Sequence, residues 1–184
     1  MAQATIFLAP GYEEVEMLTV VDMVRRAKLE IDMVSIIDQK AVTSSHNVTV
    51  MADKLFSEVD FTTTQMLILP GGMPGTTNLR AYEPLCEQLR AFAADEDKWV
   101  AAVCAAPTVL GELGILDGRK ATSYPSFADK LICGEYLEQP VVRDGHIITS
   151  RGMGTCIDFA GEIITALKDQ ATAEQIKTAI VYQQ

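Results

Sequence analysis

The stretch KWVAAVCAAPTVLGELGIL, residues 98–116, has the pattern of a buried strand that runs directly into a helix. Trp99 to Val103 is an apolar run of strand length, and Ala106 to Leu113 has the pattern of the first turns of a helix. Cys104 lies at the junction. Its side chain is either a small apolar group that fills a core or a nucleophile held on a tight turn.

The same alternation of strands and helices continues in both directions along the chain. Near-continuous apolar strands between helices indicate a mostly parallel sheet with helices on both faces. We therefore predict a single α/β domain over residues 1–184, built as a three-layer sandwich. The predicted strands are 5–9, 31–37, 66–69, 99–103, 121–123 and a hairpin within 141–150, with an edge hairpin at 42–50. The predicted helices are 13–27, 82–94, 106–113, 126–132, 156–167 and 172–181.

Composition and charge argue against several classes of function. The net charge of -10 at pH 7 disfavours binding to nucleic acid or to an anionic membrane, because phosphates would be repelled. No segment approaches the ~18 consecutive apolar residues of a membrane span. The cysteines are widely spaced without a CxxC motif, so we predict no disulfide framework and expect a cytoplasmic protein with reduced thiols. They are Cys86, Cys104, Cys133 and Cys156. The two histidines are also isolated, so we predict no metal site. We predict no cofactor.

Three segments with unusual chemistry leave strands at one edge of the predicted sheet. They are PGYEEVE at 10–16, LPGG at 69–72 and VCA at 103–105. Ligands of open parallel sheets bind beyond the carboxyl ends of the strands, where these segments converge. A cysteine on such a turn gains a helix N-terminus that favours its thiolate and backbone amides that can hold an oxyanion. Its position makes Cys104 a candidate nucleophile, although most free cysteines are buried and inert, and the packing role stays open at this point.

Four motifs in order, APGYEEVE, ILPGG, AAVCAAP and TSRGMGT, resemble the ThiJ/PfpI superfamily, and most closely its parkinsonism-associated deglycase branch. The resemblance covers nearly the whole chain and implies a flavodoxin-like fold that usually forms homodimers. It implies that Cys104 is the reactive cysteine of a nucleophile elbow and that Glu16 is the acid hydrogen-bonded to it. Gly72 and Ala105 then match the backbone N–H donors of the oxyanion pocket.

Five further residues are candidates for the substrate pocket. Arg26 matches a family arginine near the site, or is a cation at the C-terminal end of a helix. Thr108 caps or lines the elbow, and Arg151 and Gly154 resemble a family loop close to the cysteine, with a structural role equally open. Tyr124 replaces a histidine of the nearer relatives, and tyrosine is a poor base near neutral pH.

The resemblance implies a glyoxalase-like or deglycase-like enzyme that acts on small reactive dicarbonyls, with Glu16 as the proton shuttle. Members described as peptidases carry a histidine directly after the nucleophile, and Ala105 at this position argues against a peptidase. The alternative is a redox sensor or an oxidation-controlled chaperone of the oxidative stress response, in which Cys104 is oxidised to a sulfinic acid. Both hypotheses use the same residues. A sugar-phosphate enzyme is a third reading, disfavoured because no GxxxxGK[ST] loop is present.

Overall fold

The computed structural model describes residues 3–183 and confirms the predicted α/β architecture. The strands are β1 (Ala4–Leu8), β2 (Ile31–Ser35), β3 (Ala41–Thr43), β4 (Thr49–Met51), β5 (Lys54–Leu55), β6 (Met66–Leu69), β7 (Trp99–Val103), β8 (Lys120–Ala121), β9 (Glu135–Tyr136), β10 (Val141–Asp144) and β11 (Ile147–Ser150). The α-helices are α1 (Glu14–Arg26), α2 (Gly75–Ala81), α3 (Glu83–Ala93), α4 (Pro107–Glu112), α5 (Cys156–Leu167) and α6 (Gln170–Ala179).

The central sheet has seven strands in the order β10-β11-β7-β6-β1-β2-β5. All neighbouring strands are parallel except the β10–β11 hairpin. In the register, Leu69 pairs with Ala102 and Val103 pairs with Ser150. The strands β6, β7 and β11 therefore end at the same edge of the sheet, and the segments that follow them meet there.

Alternate side chains of the central strands point to opposite faces of the sheet and pack into two separate cores, so the fold has three layers. Ile6 and Leu8 belong to the core beneath α1 and α5, whereas Phe7 belongs to the core on the opposite face, beneath α3 and α4. The strand runs are mostly apolar because both faces are covered, although they include polar residues such as Thr5 and Asp32. This arrangement is the flavodoxin-like sandwich that the sequence predicts.

Helix α1 begins at the carboxyl edge of the sheet, so its first turn lies there. Met17, Val20, Val21 and Val24 are buried at the spacing of one helix face, as predicted. Acidic residues occupy its first turn and arginines its last, which suits the helix dipole. Within residues 3–183, no helix is both long enough and apolar enough to cross a bilayer.

The structure differs from the predicted elements mainly outside the central sheet. The hairpin predicted at 42–50 forms, but β3 and β4 make their own two-stranded sheet, because β5 already occupies the edge beside β2. The strand predicted at 121–123 is the two-residue β8, paired with β9 in a third small sheet. The helix predicted at 126–132 is a 3-10 helix, Pro125–Lys130. Helix α2 was absent from the prediction, since Gly75 and two threonines are poor helix formers.

Candidate active site

Cys104 lies on a strained turn between β7 and α4. Its φ of 65° falls in the left-handed region, which is unfavourable for a residue with a side chain. The backbone N–H of Cys104 donates to the carbonyl of Ser150 at 3.0 Å, and its carbonyl accepts from the N–H of Tyr124 at 2.8 Å. The buried Ala105 and Ala106 leave room for the tight turn. The fold therefore holds the half-buried thiol in one position.

Glu16 is the buried acid that faces this thiol. It lies in the first turn of α1 with 1% of its surface exposed, and its Oε2 accepts a hydrogen bond from the Gly71 N–H at 2.8 Å. Its carboxyl group also hydrogen-bonds to Cys104. Burial raises the pKa of Glu16 to about 7, and these hydrogen bonds offset part of that rise. Glu16 can therefore gain or lose a proton near neutral pH.

The Cys104–Glu16 pair holds a shared proton. Burial, followed by the negative charge of Glu16, raises the pKa of the Cys104 thiol to about 12. The N–H groups of Ala105 and Gly72 hydrogen-bond to the sulfur and oppose this rise. Because each charge disfavours the other, the pair releases one proton near neutrality and keeps the second.

Burial works against the thiolate that a helix N-terminus favours at Cys104. Helix α4 has only six residues, so its dipole is small, and the sulfur is largely removed from water. When the remaining proton of the pair is on the sulfur, the site holds a neutral thiol beside a carboxylate. That carboxylate is in place to accept the thiol proton.

Two consecutive glycines form the floor of the site. A Cβ added to Gly71 would lie 2.6 Å from Cys104 Cβ and 2.7 Å from Glu16 Oε2, so only glycine fits against the pair. Gly72 has a φ of 89°, which aims its N–H at the sulfur. The sequence analysis identified Gly72 but missed Gly71, although the PGG motif contains both.

Three of the predicted pocket residues line one cavity of about 390 Å³. They are Tyr124, Arg151 and Gly154, and the lining is mostly apolar. A Cβ added to Gly152 would lie 3.2 Å from the Tyr124 ring and 3.9 Å from Glu16 Oε1, so the cavity borders the buried acid. Arg151 is partly buried, and its Nη2 donates to Glu138 at 3.0 Å. Tyr124, Arg151 and Gly154 therefore lie together next to the reactive pair.

The other two pocket candidates lie elsewhere. Thr108 donates from its hydroxyl to the Ala105 carbonyl at 2.7 Å, so it caps the elbow, and it lines a separate cavity of about 240 Å³. Arg26 lies ten residues beyond Glu16 on α1, about 15 Å along the helix axis. Its Nε pairs with Asp22 at 2.6 Å. Within one chain, Arg26 therefore does not reach Cys104.

His146 and the other three cysteines have the surroundings of structural residues. His146 is 8% exposed, and its Nε2 lies 3.0 Å from the Ala93 carbonyl. Cys86 and Cys156 are buried, and Cys133 is half-buried. Cys156 donates from its thiol to the Gly152 carbonyl at 3.3 Å and lies beneath the site. Burial raises the pKa of each of these three thiols.

Comparison with known proteins shows that most of the chain matches one protein family. The model of the DJ-1/PfpI family matches residues 2–166. The chain is 33% identical over 180 residues to Protein dj-1beta of Drosophila melanogaster, covering 97% of this chain and 96% of that protein. It is 29% identical over 184 residues to "Glutathione-independent glyoxalase DJ-1" of Schizosaccharomyces pombe, covering 94% of this chain and 96% of that protein.

Plant relatives are much longer than this chain. Identity to Protein DJ-1 homolog A of Arabidopsis thaliana is 33% over 177 residues, which are 95% of this chain but 45% of the plant protein. Among solved structures, oxidised Toxoplasma gondii DJ-1 superposes with a TM-score of 0.94 at 34% identity, covering 100% of both chains. The fold and the order of the elements are therefore shared along the whole chain.

Proposed function

The chain belongs to the DJ-1/PfpI family, and on that premise we propose that it is a cysteine-dependent enzyme acting on reactive dicarbonyls or their adducts. One observation carries the proposal: the Cys104 sulfur contacts an acid of pKa about 7 and two backbone N–H donors at the same time. The name of the Schizosaccharomyces pombe relative supports glyoxalase chemistry. Methylglyoxal is the simplest substrate of this class.

In the first step, the sulfur attacks the aldehyde carbon. The Glu16 carboxylate accepts the thiol proton as the C–S bond forms, which avoids the cost of a free thiolate in a buried site. The aldehyde oxygen becomes an oxyanion, for which the N–H groups of Gly72 and Ala105 are the available donors. Glu16 then returns the proton to that oxygen, and the product is a neutral hemithioacetal on Cys104.

In the second step, Glu16 moves a proton between neighbouring carbons. Its carboxylate removes the hydrogen of the hemithioacetal carbon, the electron pair passes to the adjacent carbonyl, and Glu16 returns the proton to that carbonyl's oxygen as an enediol forms. Glu16 then takes the proton of the first hydroxyl group. Reprotonation at the second carbon gives a thioester of a 2-hydroxy acid. Water cleaves the thioester, releasing the hydroxy acid and the thiol of Cys104. A pKa of about 7 suits both halves of this transfer.

Tyr124 has a supporting place in this scheme. Its backbone N–H holds the elbow carbonyl, and its ring lines the cavity that borders Glu16. Its hydroxyl can donate a hydrogen bond to the second carbonyl of the substrate but does not act as a base near neutral pH. Glu16 is then the base for every proton transfer. The Ala105 that follows the nucleophile offers no group for peptidase chemistry.

The test is formation of lactate from methylglyoxal by purified protein without added thiol. Lactate is followed because disappearance of methylglyoxal also reports its trapping by amines. We expect many turnovers from the wild type and from Cys133→Ala, which removes the other half-buried thiol, and none from Cys104→Ala. Turnover by Cys104→Ala at the wild-type rate would refute the proposal.

A second candidate function is redox sensing through Cys104. The same acid that serves catalysis can donate a hydrogen bond to a cysteine sulfinate, and Cys104 is more accessible than Cys86 and Cys156. Titration with peroxide, followed by intact mass and peptide mapping, should place the first two added oxygens on Cys104. First oxidation at any other cysteine would remove the basis for this role.

We propose that the protein is a cytoplasmic homodimer. Its four cysteines are free, as is usual in a reducing compartment. Val15 and Leu18 on α1 and Val48 and Met51 around β4 are large apolar side chains exposed to solvent. A second copy covering this surface would bury them. Sedimentation of the wild type and of Leu18→Glu tests this, with a dimer expected only for the wild type; a wild-type monomer would refute it.

A further inference from the structure

A cluster of side chains beside the active site has no part in the proposed chemistry. It consists of Glu13 and Glu14, at the start of α1, and His46, in the turn between β3 and β4. Their ligand atoms, two carboxylate oxygens and one imidazole nitrogen, all lie within 4.8 Å of one another. No metal site was predicted from the sequence, because the two histidines are isolated and the cysteines are scattered.

The spacing of these atoms fits a small divalent ion. His46 Nδ1 lies 3.1 Å from Glu14 Oε1 and 3.6 Å from Glu13 Oε2. Ligands on a tetrahedral zinc ion, at bond lengths near 2.0–2.1 Å, are separated by about 3.3 Å. The two observed distances lie on either side of that value. An ion can therefore be placed between the three atoms with small movements of their side chains.

The carboxylates are held in place before any ion arrives. Their side chains expose only 16% and 11% of their surface, whereas His46 exposes 66%. The Ser45 hydroxyl donates to Glu13 Oε2 at 3.3 Å, and the Ser44 hydroxyl hydrogen-bonds to Glu14. Such second contacts orient ligands in metal sites. The Ser45 N–H donates to the Tyr12 carbonyl at 2.8 Å, which fixes the turn against the start of α1.

We propose that Glu13, Glu14 and His46 form a binding site for a first-row transition metal ion such as Zn²⁺. One imidazole and two carboxylates are the donor set that this class of ion accepts, and they exclude a soft, thiolate-dependent ion. The two carboxylates concentrate negative charge that the ion neutralises. The ion binds here without contact to Cys104.

The test is titration of the purified, metal-free protein with Zn²⁺ by calorimetry. Binding of one ion should persist in Cys104→Ala, which removes the reactive thiol, and in His146→Gln, which removes the other histidine. His46→Ala and Glu13→Gln should each weaken binding by about tenfold or more. Unchanged affinity in His46→Ala, or loss of binding in Cys104→Ala, would overturn the proposal.

Nuclear magnetic resonance of the wild type gives a second readout that needs no variant. The chain has two histidines, so the nitrogen signals of both imidazoles can be resolved. Zn²⁺ should shift the Nδ1 signal of His46 and leave that of His146 in place. If His46 is only a protonated partner of the two carboxylates, Zn²⁺ will leave both sets of signals unchanged, and the site does not exist.

Discussion

Replacing Glu16 with glutamine should stabilise the protein at alkaline pH while it stops turnover. Burial raises the pKa of Glu16 from its ordinary value of 4.5 to about 7. At about 1.4 kcal/mol for each factor of ten in the ionisation equilibrium, ionising this group in the folded protein costs about 3 kcal/mol more than in the unfolded chain. Glutamine keeps the shape of the side chain and avoids this cost.

The direction of this pH effect follows from the number of protons that the folded and unfolded chains bind. Between pH 4.5 and about 7, the folded wild type holds a proton on Glu16 that the unfolded chain has lost, so wild-type stability falls as pH rises. The Glu16→Gln variant has no ionisable group at this position, so its stability does not fall for this reason. The difference in the free energy of unfolding, variant minus wild type, should therefore grow by up to about 3 kcal/mol between about pH 4 and pH 8.

The assay is urea unfolding at both pH values with a chelator present. The matched control is Glu87→Gln, which removes an exposed acid on α3 and should follow the wild type at both pH values. A difference for Glu16→Gln that stays constant with pH would refute the reasoning. It would mean that Glu16 ionises in the folded protein as easily as in the unfolded chain.

Three further substitutions have definite expected outcomes. Gly71→Ala should lower the free energy of unfolding by about 1–3 kcal/mol and abolish lactate formation, because its Cβ would overlap Cys104 and Glu16. Normal activity of this variant would show that the backbone at Gly71 can shift to make room for the Cβ. Thr108→Val removes the hydroxyl that donates to the Ala105 carbonyl and should lower the free energy of unfolding by about 1 kcal/mol, measured by thermal unfolding. An unchanged melting temperature would show that this hydrogen bond does not stabilise the elbow. Tyr124→His should raise turnover about tenfold or more, since imidazole is a base near neutral pH; equal or slower turnover would show that Glu16 needs no second base.

Much of the fold was predictable because the central strands are buried on both faces. Such strands are mostly apolar, and the α1 segment has its buried residues at the regular spacing of one helix face. Short elements were less predictable. The hairpin of β3 and β4 has an alternating pattern, but the pattern does not reveal which strand it pairs with, and β5 is only two residues long.

The reactive pair was predictable, but its electrostatics were not. Cys104 and Glu16 follow strands that end at one edge, so their approach follows from the topology. The protonation of the pair depends on burial, which the spacing of residues does not give. The position of Arg26, at the far end of α1, and the approach of His46 to Glu13 likewise depend on geometry that only the folded chain supplies.

The most direct test of the central claim follows carbon-13-labelled methylglyoxal by nuclear magnetic resonance with wild type and Glu16→Gln. Our account predicts that the wild type converts many equivalents to lactate. It predicts that Glu16→Gln stops at a hemithioacetal, seen as one protein-bound equivalent of a tetrahedral carbon that is absent with Cys104→Ala. Lactate from Glu16→Gln at the wild-type rate, or no lactate from the wild type, would contradict the claim that Cys104 is the nucleophile and that Glu16 transfers the protons.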